Sequence, residues 1–169
     1  MGFMDEVSSA GGHQAAEVRW QGGQLRCSRE ISQLRWSEIG ADAIQLPSER
    51  AKNRRAHVVP LAPTARALLE KLPRNGEGVF KSLAWSTCKD ELDKRSGVAG
   101  WVIHDIRRSV ATGMADIGIA PHIIEAVLNH VSGHKGGVAG IYNRSSYAAE
   151  KAAALARWDE RVRSVVEGR

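Results

Sequence analysis

The chain has 169 residues, of which 43% are hydrophobic and 25% charged, and its formal net charge is +5. This length is enough for one domain with a hydrophobic core, and the composition is ordinary for a globular protein. The two cysteines, Cys27 and Cys88, are far apart and form no CxxC motif, which argues against a disulfide framework or a zinc ribbon. A modest basic excess suits a polyanionic partner, although many proteins that bind no nucleic acid share it.

The sequence also argues against membrane association. No apolar run approaches the ~20 residues of a membrane-spanning helix. Asp5 and Glu6 stand where a secretory signal peptide would carry positive charge, and no apolar stretch follows them. We therefore expect a protein without a membrane partner, in a reducing, cytoplasmic setting.

The N-terminal half is predicted to contain a small sheet. Residues 1–24 follow no clear apolar period and are interrupted by paired glycines. A short helix is predicted near residues 30–36, followed by a strand at 36–39. The β-prone runs 43–46 and 56–59 flank a polar, basic turn over 47–55, which predicts a β-hairpin with a cationic tip.

The C-terminal half is predicted to be helical. Pro60 and Pro63 end the sheet, and Thr64 is a plausible N-cap for the first of these helices. Apolar spacing, prolines and glycines then predict helices over residues 64–72, 83–94, 104–117, 121–128 and from 146 onward.

The predicted fold class is α+β, mostly α-helical with a small antiparallel three-stranded sheet. We divide the chain into a poorly defined N-terminal segment, residues 1–24, and one domain, residues 25–169.

The clearest candidates for chemistry lie between residues 101 and 147. His104 and Arg107 are three residues apart on a predicted helix and therefore emerge from the same side of it. His130 comes at the end of the next helix, Tyr142 follows a glycine-rich stretch, and Lys52 lies in the basic hairpin turn. Fixed cations can hold a phosphate and a phenol oxygen can attack it. The set therefore predicts DNA strand breakage through a covalent phosphotyrosine.

The order and spacing of these residues resemble the catalytic C-terminal domain of the tyrosine recombinases, the phage integrase family. The motifs are His104-x-x-Arg107, Leu128-x-His130 and a following tyrosine. The segments LRWSEI, KNRRAHVVPL, HDIRRSVATGMADIG and VLNHVSGHKGGVAGIYNR are most similar to integrases of prophages and genomic islands. The resemblance covers roughly residues 30–158 and implies the DNA breaking-rejoining catalytic fold of that family.

The resemblance implies a role for each candidate. Tyr142 would attack the scissile phosphate and form a 3′-phosphotyrosyl link. Arg107 would hold non-bridging oxygens, His104 would assist proton movement, and His130 would hydrogen-bond the phosphate. Lys52 would protonate the leaving 5′-oxygen. No cofactor and no metal is implied, because the phosphotyrosine conserves the bond energy.

Two features depart from the family pattern. The family has an arginine three residues before the glutamate that we match to Glu30, and this position is Cys27. Either the neighbouring Arg26 substitutes for it as a catalytic residue, or the first arginine is lost. Integrases also carry N-terminal modules that bind and clamp DNA, so the chain is expected to correspond to a catalytic domain alone.

Other assignments stay open at this point. Tyr147 competes with Tyr142 as the nucleophile, although its place at the start of the last helix favours packing. His130 and His134 have the spacing of a helical metal pair, but the glycines between residues 133 and 137 disfavour that helix. We therefore predict no metal site. Arg107 could instead pair with Asp105 or Asp116.

Several further arginines are candidates for DNA binding. The arginines of the basic turn could instead be solvated surface residues, and Arg108 could have a structural role. The candidates are Arg50, Arg54, Arg55 and Arg108.

Three functions are consistent with the sequence. The first is site-specific DNA recombination, either integration or excision, by a tyrosine-type integrase. The second is a catalytically impaired DNA-binding module of the same fold, and the third is an interaction fragment without DNA affinity. For the first, the resemblance implies double-stranded DNA as partner, a homo-tetramer on DNA, a monomer as the alternative when free, and a nucleoid location in a bacterial or phage-infected cell.

Overall fold

The computed structural model describes residues 28–80, 85–130 and 145–168, with side chains described for 30–80, 88–130 and 145–168. Within these ranges the chain forms six α-helices and two β-strands. The helices are α1 (Ser28–Ser32), α2 (Pro63–Glu70), α3 (Trp85–Ser96), α4 (Ile103–Asp116), α5 (Pro121–Leu128) and α6 (Ala148–Glu167), and the strands are β1 (Ala43–Leu46) and β2 (His57–Pro60). The predicted class, mostly helical with a small antiparallel sheet, is confirmed. The predictions for residues 1–24 lie outside the described residues.

The predicted β-hairpin is present. Strands β1 and β2 pair antiparallel, with Ile44 opposite Val59 and Leu46 opposite His57. These four side chains are buried, whereas Gln45 and Val58, which alternate with them, are exposed. The alternation gives the hairpin one face toward the core, as a half-buried strand pair requires.

The predicted third strand near residues 36–39 is wrong. Residues Trp36–Glu38 form a single 3₁₀ turn, and Ile39 makes only an isolated bridge with Ile44. The backbone N–H of Arg35 donates to the Glu38 carboxylate at 2.9 Å, and the Glu38 N–H donates to the Arg35 carbonyl at 3.0 Å. These local hydrogen bonds curl the backbone and compete with strand pairing. The sheet of the described chain therefore has two strands.

The predicted N-cap at Thr64 is also wrong. Helix α2 begins at Pro63, with Ala62 in the capping position, because proline is pre-organised for the first helical residue. The Thr64 hydroxyl and backbone N–H both donate to Oδ2 of Asp159 in α6, at 3.0 and 3.4 Å. A carboxylate from a distant helix thus caps α2 and stabilises its positive end.

The core lies where helices α4, α5 and α6 pack against the hairpin and α1. On α4, Val110 and Met114 are buried and Ile106 is partly buried, which confirms the predicted apolar face. Val127 of α5 and Leu155 of α6 are almost fully buried beside them. Each such side chain contributes about 1.5–3 kcal/mol relative to an exposed one. This packing holds the start of α4 and the end of α5 in place.

Candidate functional site

The first two turns of α4 carry His104 and Arg107. The helix begins at Ile103, and the carboxylate of Asp105 accepts the backbone N–H of Val102 at 2.9 Å, which fixes the start of the helix. His104 is exposed and Arg107, one turn later, is partly buried. The two side chains therefore lie on the same side of α4.

The guanidinium of Arg107 is directed toward the end of α5. Its Nη2 donates to the carbonyl oxygen of Leu128 at 3.0 Å. Asp105, which was one alternative partner, instead forms an ion pair with Arg108 at 3.1 Å. A guanidinium has five N–H donors in a fixed fork, so the contact with Leu128 is compatible with phosphate binding.

His130 lies just beyond the end of α5. Asn129 takes the left-handed conformation, with φ 54° and ψ 34°, and ends the helix. The N–H of His130 then donates to the carbonyl of Glu125 at 3.0 Å, which closes the helix terminus. The His130 side chain is exposed at this turn.

Lys52 lies in the connection between β1 and β2. Its backbone N–H donates to Oε1 of Glu30 at 2.9 Å, and Glu30 is only 7% exposed. The Lys52 side chain itself is exposed. A buried carboxylate therefore holds the backbone of a surface lysine.

Two asparagines connect this hairpin turn to the end of α5. Nδ2 of Asn53 donates to the Asn129 carbonyl at 3.1 Å, and Nδ2 of Asn129 donates to Oδ1 of Asn53 at 3.3 Å. The segment that carries Lys52 is thereby joined to the segment that carries His130. Since Arg107 binds Leu128 of the same turn, three of the predicted site residues lie on segments in direct contact.

Arg50 is placed differently from the other cations of the turn. Its Nε lies 2.8 Å from Oε1 of Glu38, and its Nη2 donates to the Glu30 carbonyl at 3.1 Å. Its Nη1 donates to the carbonyl of Gln33. The Arg50 side chain is 17% exposed, so it ties the turn to the helix α1 region rather than facing outward.

The remaining predicted DNA contacts are exposed. Arg54 and Arg55 are exposed in the turn shortly before β2, and Arg108 is exposed on α4 beside its partner Asp105. Nearby, hydrogen bonds from its own backbone amide and from the Ser48 hydroxyl lower the pKa of Glu49. Glu49 places one negative charge in an otherwise positive turn.

Tyr142 and Arg26 lie outside the described residues, as do Cys27 and His134. The competing tyrosine, Tyr147, is described. It precedes α6, is partly buried, and packs against the hydrophobic core with its ring 5.4 Å from that of His122. This environment is that of a packing residue.

Two negative findings concern the described part of the chain. Among residues 28–80, 85–130 and 145–168, no three His, Cys, Asp or Glu side chains are grouped as a metal would need. Over the same ranges, no helix has the length and apolar character required to cross a bilayer.

Sequence reasoning missed Glu30, Asn53 and Asn129 as parts of the site. Asn129 carries one usable signal, because asparagine tolerates the left-handed conformation that ends a helix. The contact between Asn53 and Asn129 joins residues 76 positions apart and leaves no periodic pattern.

The chain belongs to the phage integrase family. The sequence model of that family matches residues 14–148, which is most of the chain and contains every predicted catalytic residue.

Two curated relatives come from Escherichia coli strain K12. The chain is 32% identical to "Prophage integrase IntA" over 162 residues, covering 88% of this chain and 38% of the relative. It is 29% identical to "Prophage integrase IntZ" over 151 residues, covering 82% of this chain and 37% of the relative. The chain thus spans less than two fifths of the length of these relatives. No solved structure gave a significant match.

Proposed function

We propose that the chain catalyses site-specific DNA recombination, integration or excision, by cleaving and rejoining strands through a 3′-phosphotyrosyl intermediate. The observation that carries the proposal is the contact of the segments bearing Lys52, Arg107 and His130. These residues are far apart in sequence, and each can stabilise or protonate a phosphate oxygen. Membership of the phage integrase family supports the same reaction and the family's catalytic fold.

In the proposed reaction, Tyr142 is the nucleophile. Its phenol proton passes to His104 while the phenol oxygen forms a bond to phosphorus and the bond between phosphorus and the 5′-oxygen breaks. The electron pair passes to the 5′-oxygen, which takes a proton from Nζ of Lys52. A free 5′-hydroxyl of another strand then reverses these steps and releases Tyr142.

The other site residues are proposed to stabilise charge. Arg107 and Arg26 hold the non-bridging oxygens, whose negative charge grows in the pentacoordinate transition state. His130 donates a hydrogen bond to the same phosphate, and His104 assists proton transfer. The intermediate conserves the energy of the phosphodiester bond, so the reaction as proposed requires neither ATP nor a cofactor.

The proposed partner is double-stranded DNA. Arg54 and Arg55 in the hairpin turn and Arg108 on α4 are exposed cations that would contact its backbone. We leave Arg50 out of this surface, because its guanidinium is bound within the fold. Recombination would require a homo-tetramer that holds two duplexes, with a monomer as the alternative state when free, and would take place at the nucleoid in the cytoplasm.

One observation favours a second candidate, a catalytically impaired DNA-binding module. Cys27 stands where the family resemblance implies an arginine, and losing one cation from such a site costs on the order of 10²-fold or more in rate. The module would bind DNA with the same surface and form no covalent product.

The test uses the whole chain and a pool of nicked duplexes with randomised central sequences. The short strand beyond the nick diffuses away after cleavage and traps the covalent protein–DNA adduct, which survives denaturing electrophoresis. We expect an adduct with the unmodified protein and none with Tyr142→Phe. An adduct lost in Tyr147→Phe but not in Tyr142→Phe would overturn the assignment of the nucleophile, and salt-dependent binding without any adduct would favour the impaired module.

A further inference from the structure

Asn53 and Asn129 form a reciprocal side-chain contact that we call the asparagine clasp. The side-chain amide of Asn53 donates to the backbone carbonyl oxygen of Asn129. The side-chain amide of Asn129 donates to the side-chain oxygen of Asn53. Both residues are partly buried. The clasp therefore links the hairpin turn to the end of α5 through two partly buried hydrogen bonds.

Each asparagine is also held by its own backbone surroundings. Oδ1 of Asn53 accepts the N–H of Arg55 at 3.1 Å, which closes a local turn. Asn129 ends α5 in the left-handed conformation, and the next N–H bonds back to Glu125. The clasp thus joins two turns that are each locally defined, so it can transmit position from one to the other.

The residues beside the clasp are two members of the proposed site. Lys52 precedes Asn53, and His130 follows Asn129; both side chains are exposed. A lysine ammonium stands on a flexible four-carbon stem, so the position of its backbone limits which atoms it reaches. The clasp connects that backbone to the His130 turn, in addition to the hydrogen bond by which Glu30 holds the Lys52 N–H.

We propose that the asparagine clasp is a positioning element, which holds Lys52 against the leaving 5′-oxygen with the His130 turn as its fixed reference. The inference rests on the proposed function, in which Lys52 supplies the proton to the 5′-oxygen. A displacement of about 1 Å in a reacting group can cost on the order of 10²-fold in rate. Loss of the clasp should therefore act on protonation of the leaving group and leave the nucleophile's attack in place.

Three variants separate this role from a general loss of structure. Asn129→Gly removes the side-chain donor of the clasp but keeps the left-handed backbone, the carbonyl acceptor and the Arg55 turn. Asn53→Ala removes both hydrogen bonds of the clasp. Asn75→Ala is the matched control, because it makes the same kind of change at an exposed loop asparagine outside the clasp.

The decisive readout compares two substrates of one sequence, chosen from the trapped adducts. One has an ordinary scissile phosphate, and the other has sulfur in place of the bridging 5′-oxygen. When the bond between phosphorus and sulfur breaks, the electron pair stays on a thiolate, which leaves without a proton. We expect Asn53→Ala and Asn129→Gly to slow adduct formation by about 10- to 100-fold with oxygen and at most about 3-fold with sulfur. Lys52→Ala should show the same pattern, and Asn75→Ala should match the unmodified protein on both.

Equal losses on both substrates would overturn the positioning role, and so would the absence of any loss with oxygen. Hydrogen exchange of residues 50–56 gives a readout independent of activity, and we expect faster exchange in Asn129→Gly than in Asn75→Ala. If exchange of residues 50–56 were the same in Asn129→Gly and Asn75→Ala, the clasp would not hold the hairpin turn in place, whatever the activity. Failure of the unmodified protein to form an adduct with either substrate would overturn the proposed function, and the positioning role with it, whatever the exchange result.

Discussion

Nη2 of Arg107 in α4 donates a hydrogen bond to the carbonyl oxygen of Leu128, the last residue of α5, at 3.0 Å. One residue further along, Asn129 is bound to Asn53 of the hairpin turn. The end of α5 is therefore the point at which a cation from α4 and a lysine-bearing turn meet. Because the guanidinium of Arg107 makes this hydrogen bond to Leu128, even a replacement that keeps the positive charge should alter the site.

We expect Arg107→Lys to lower the rate of adduct formation by on the order of 10²-fold or more, as single donors to a developing oxyanion do. A lysine keeps the charge but lacks the planar fork that can bind Leu128 and a phosphate together. Single-turnover cleavage of the nicked duplex measures the effect. Arg108→Lys is the matched control, since Arg108 is exposed and should change the rate by less than about 3-fold. Similar rates for the two variants would contradict a special role for Arg107.

The exposed cations of the hairpin turn should govern the salt dependence of DNA binding. Replacing Arg54 or Arg55 with alanine should weaken binding to all duplexes and reduce the slope of log affinity against log salt by about 1. Titrations of a labelled duplex at several salt concentrations give both quantities. A change in affinity at one salt concentration with an unaltered slope would argue against phosphate contacts by these two residues.

Arg50 in the same turn should instead affect stability. Its guanidinium contacts the Glu38 carboxylate, which is largely buried, so Arg50→Ala would leave that charge without its ion-pair partner. We expect the free energy of unfolding to fall by about 3 kcal/mol. Denaturant titration measures this loss, with Arg54→Ala as a control that should change stability by less than about 0.5 kcal/mol. Equal stability of the two variants would contradict the structural role of Arg50.

Some elements of the fold could be predicted from the sequence, and others depend on contacts that only the folded chain makes. Helix α5 was predicted at its observed bounds, with Pro121 at the first helical position. The left-handed conformation of Asn129, which ends the helix, was not part of that prediction. The strand near Trp36 was predicted wrongly, because apolar content does not reveal that Glu38 bonds to the Arg35 backbone. Arg50 and Arg54 look alike in sequence, yet only the folded partners Glu38 and Glu30 distinguish the internal cation from the exposed one. Spacing and family resemblance predicted the charged residues of the candidate site. No sequence pattern predicts the contact between Asn53 and Asn129 that joins its parts.

The carboxylate of Asp159 caps a helix that is distant in sequence. It accepts hydrogen bonds from the Thr64 hydroxyl and N–H at the start of α2. We expect Asp159→Ala to lower the free energy of unfolding by about 1 kcal/mol, as loss of an N-terminal cap does. Thermal unfolding followed by circular dichroism measures it, and Glu160→Ala, at an exposed neighbouring position, is the control. A control as destabilised as Asp159→Ala would show that α6 itself, not the cap, had been weakened.

The last prediction concerns the cation that the family resemblance places at Cys27. If Arg26 substitutes for it, Arg26→Ala should slow adduct formation by on the order of 10²-fold, and adding Cys27→Arg to that variant should restore most of the rate. Arg29→Ala, a nearby cation outside the matched position, should have little effect. The opposite pattern is equally informative. If Arg26→Ala leaves the rate unchanged while Cys27→Arg alone raises it about 10²-fold, the natural chain lacks its first arginine. The impaired DNA-binding module would then be the better description, since replacing a single side chain would have supplied the missing catalytic charge.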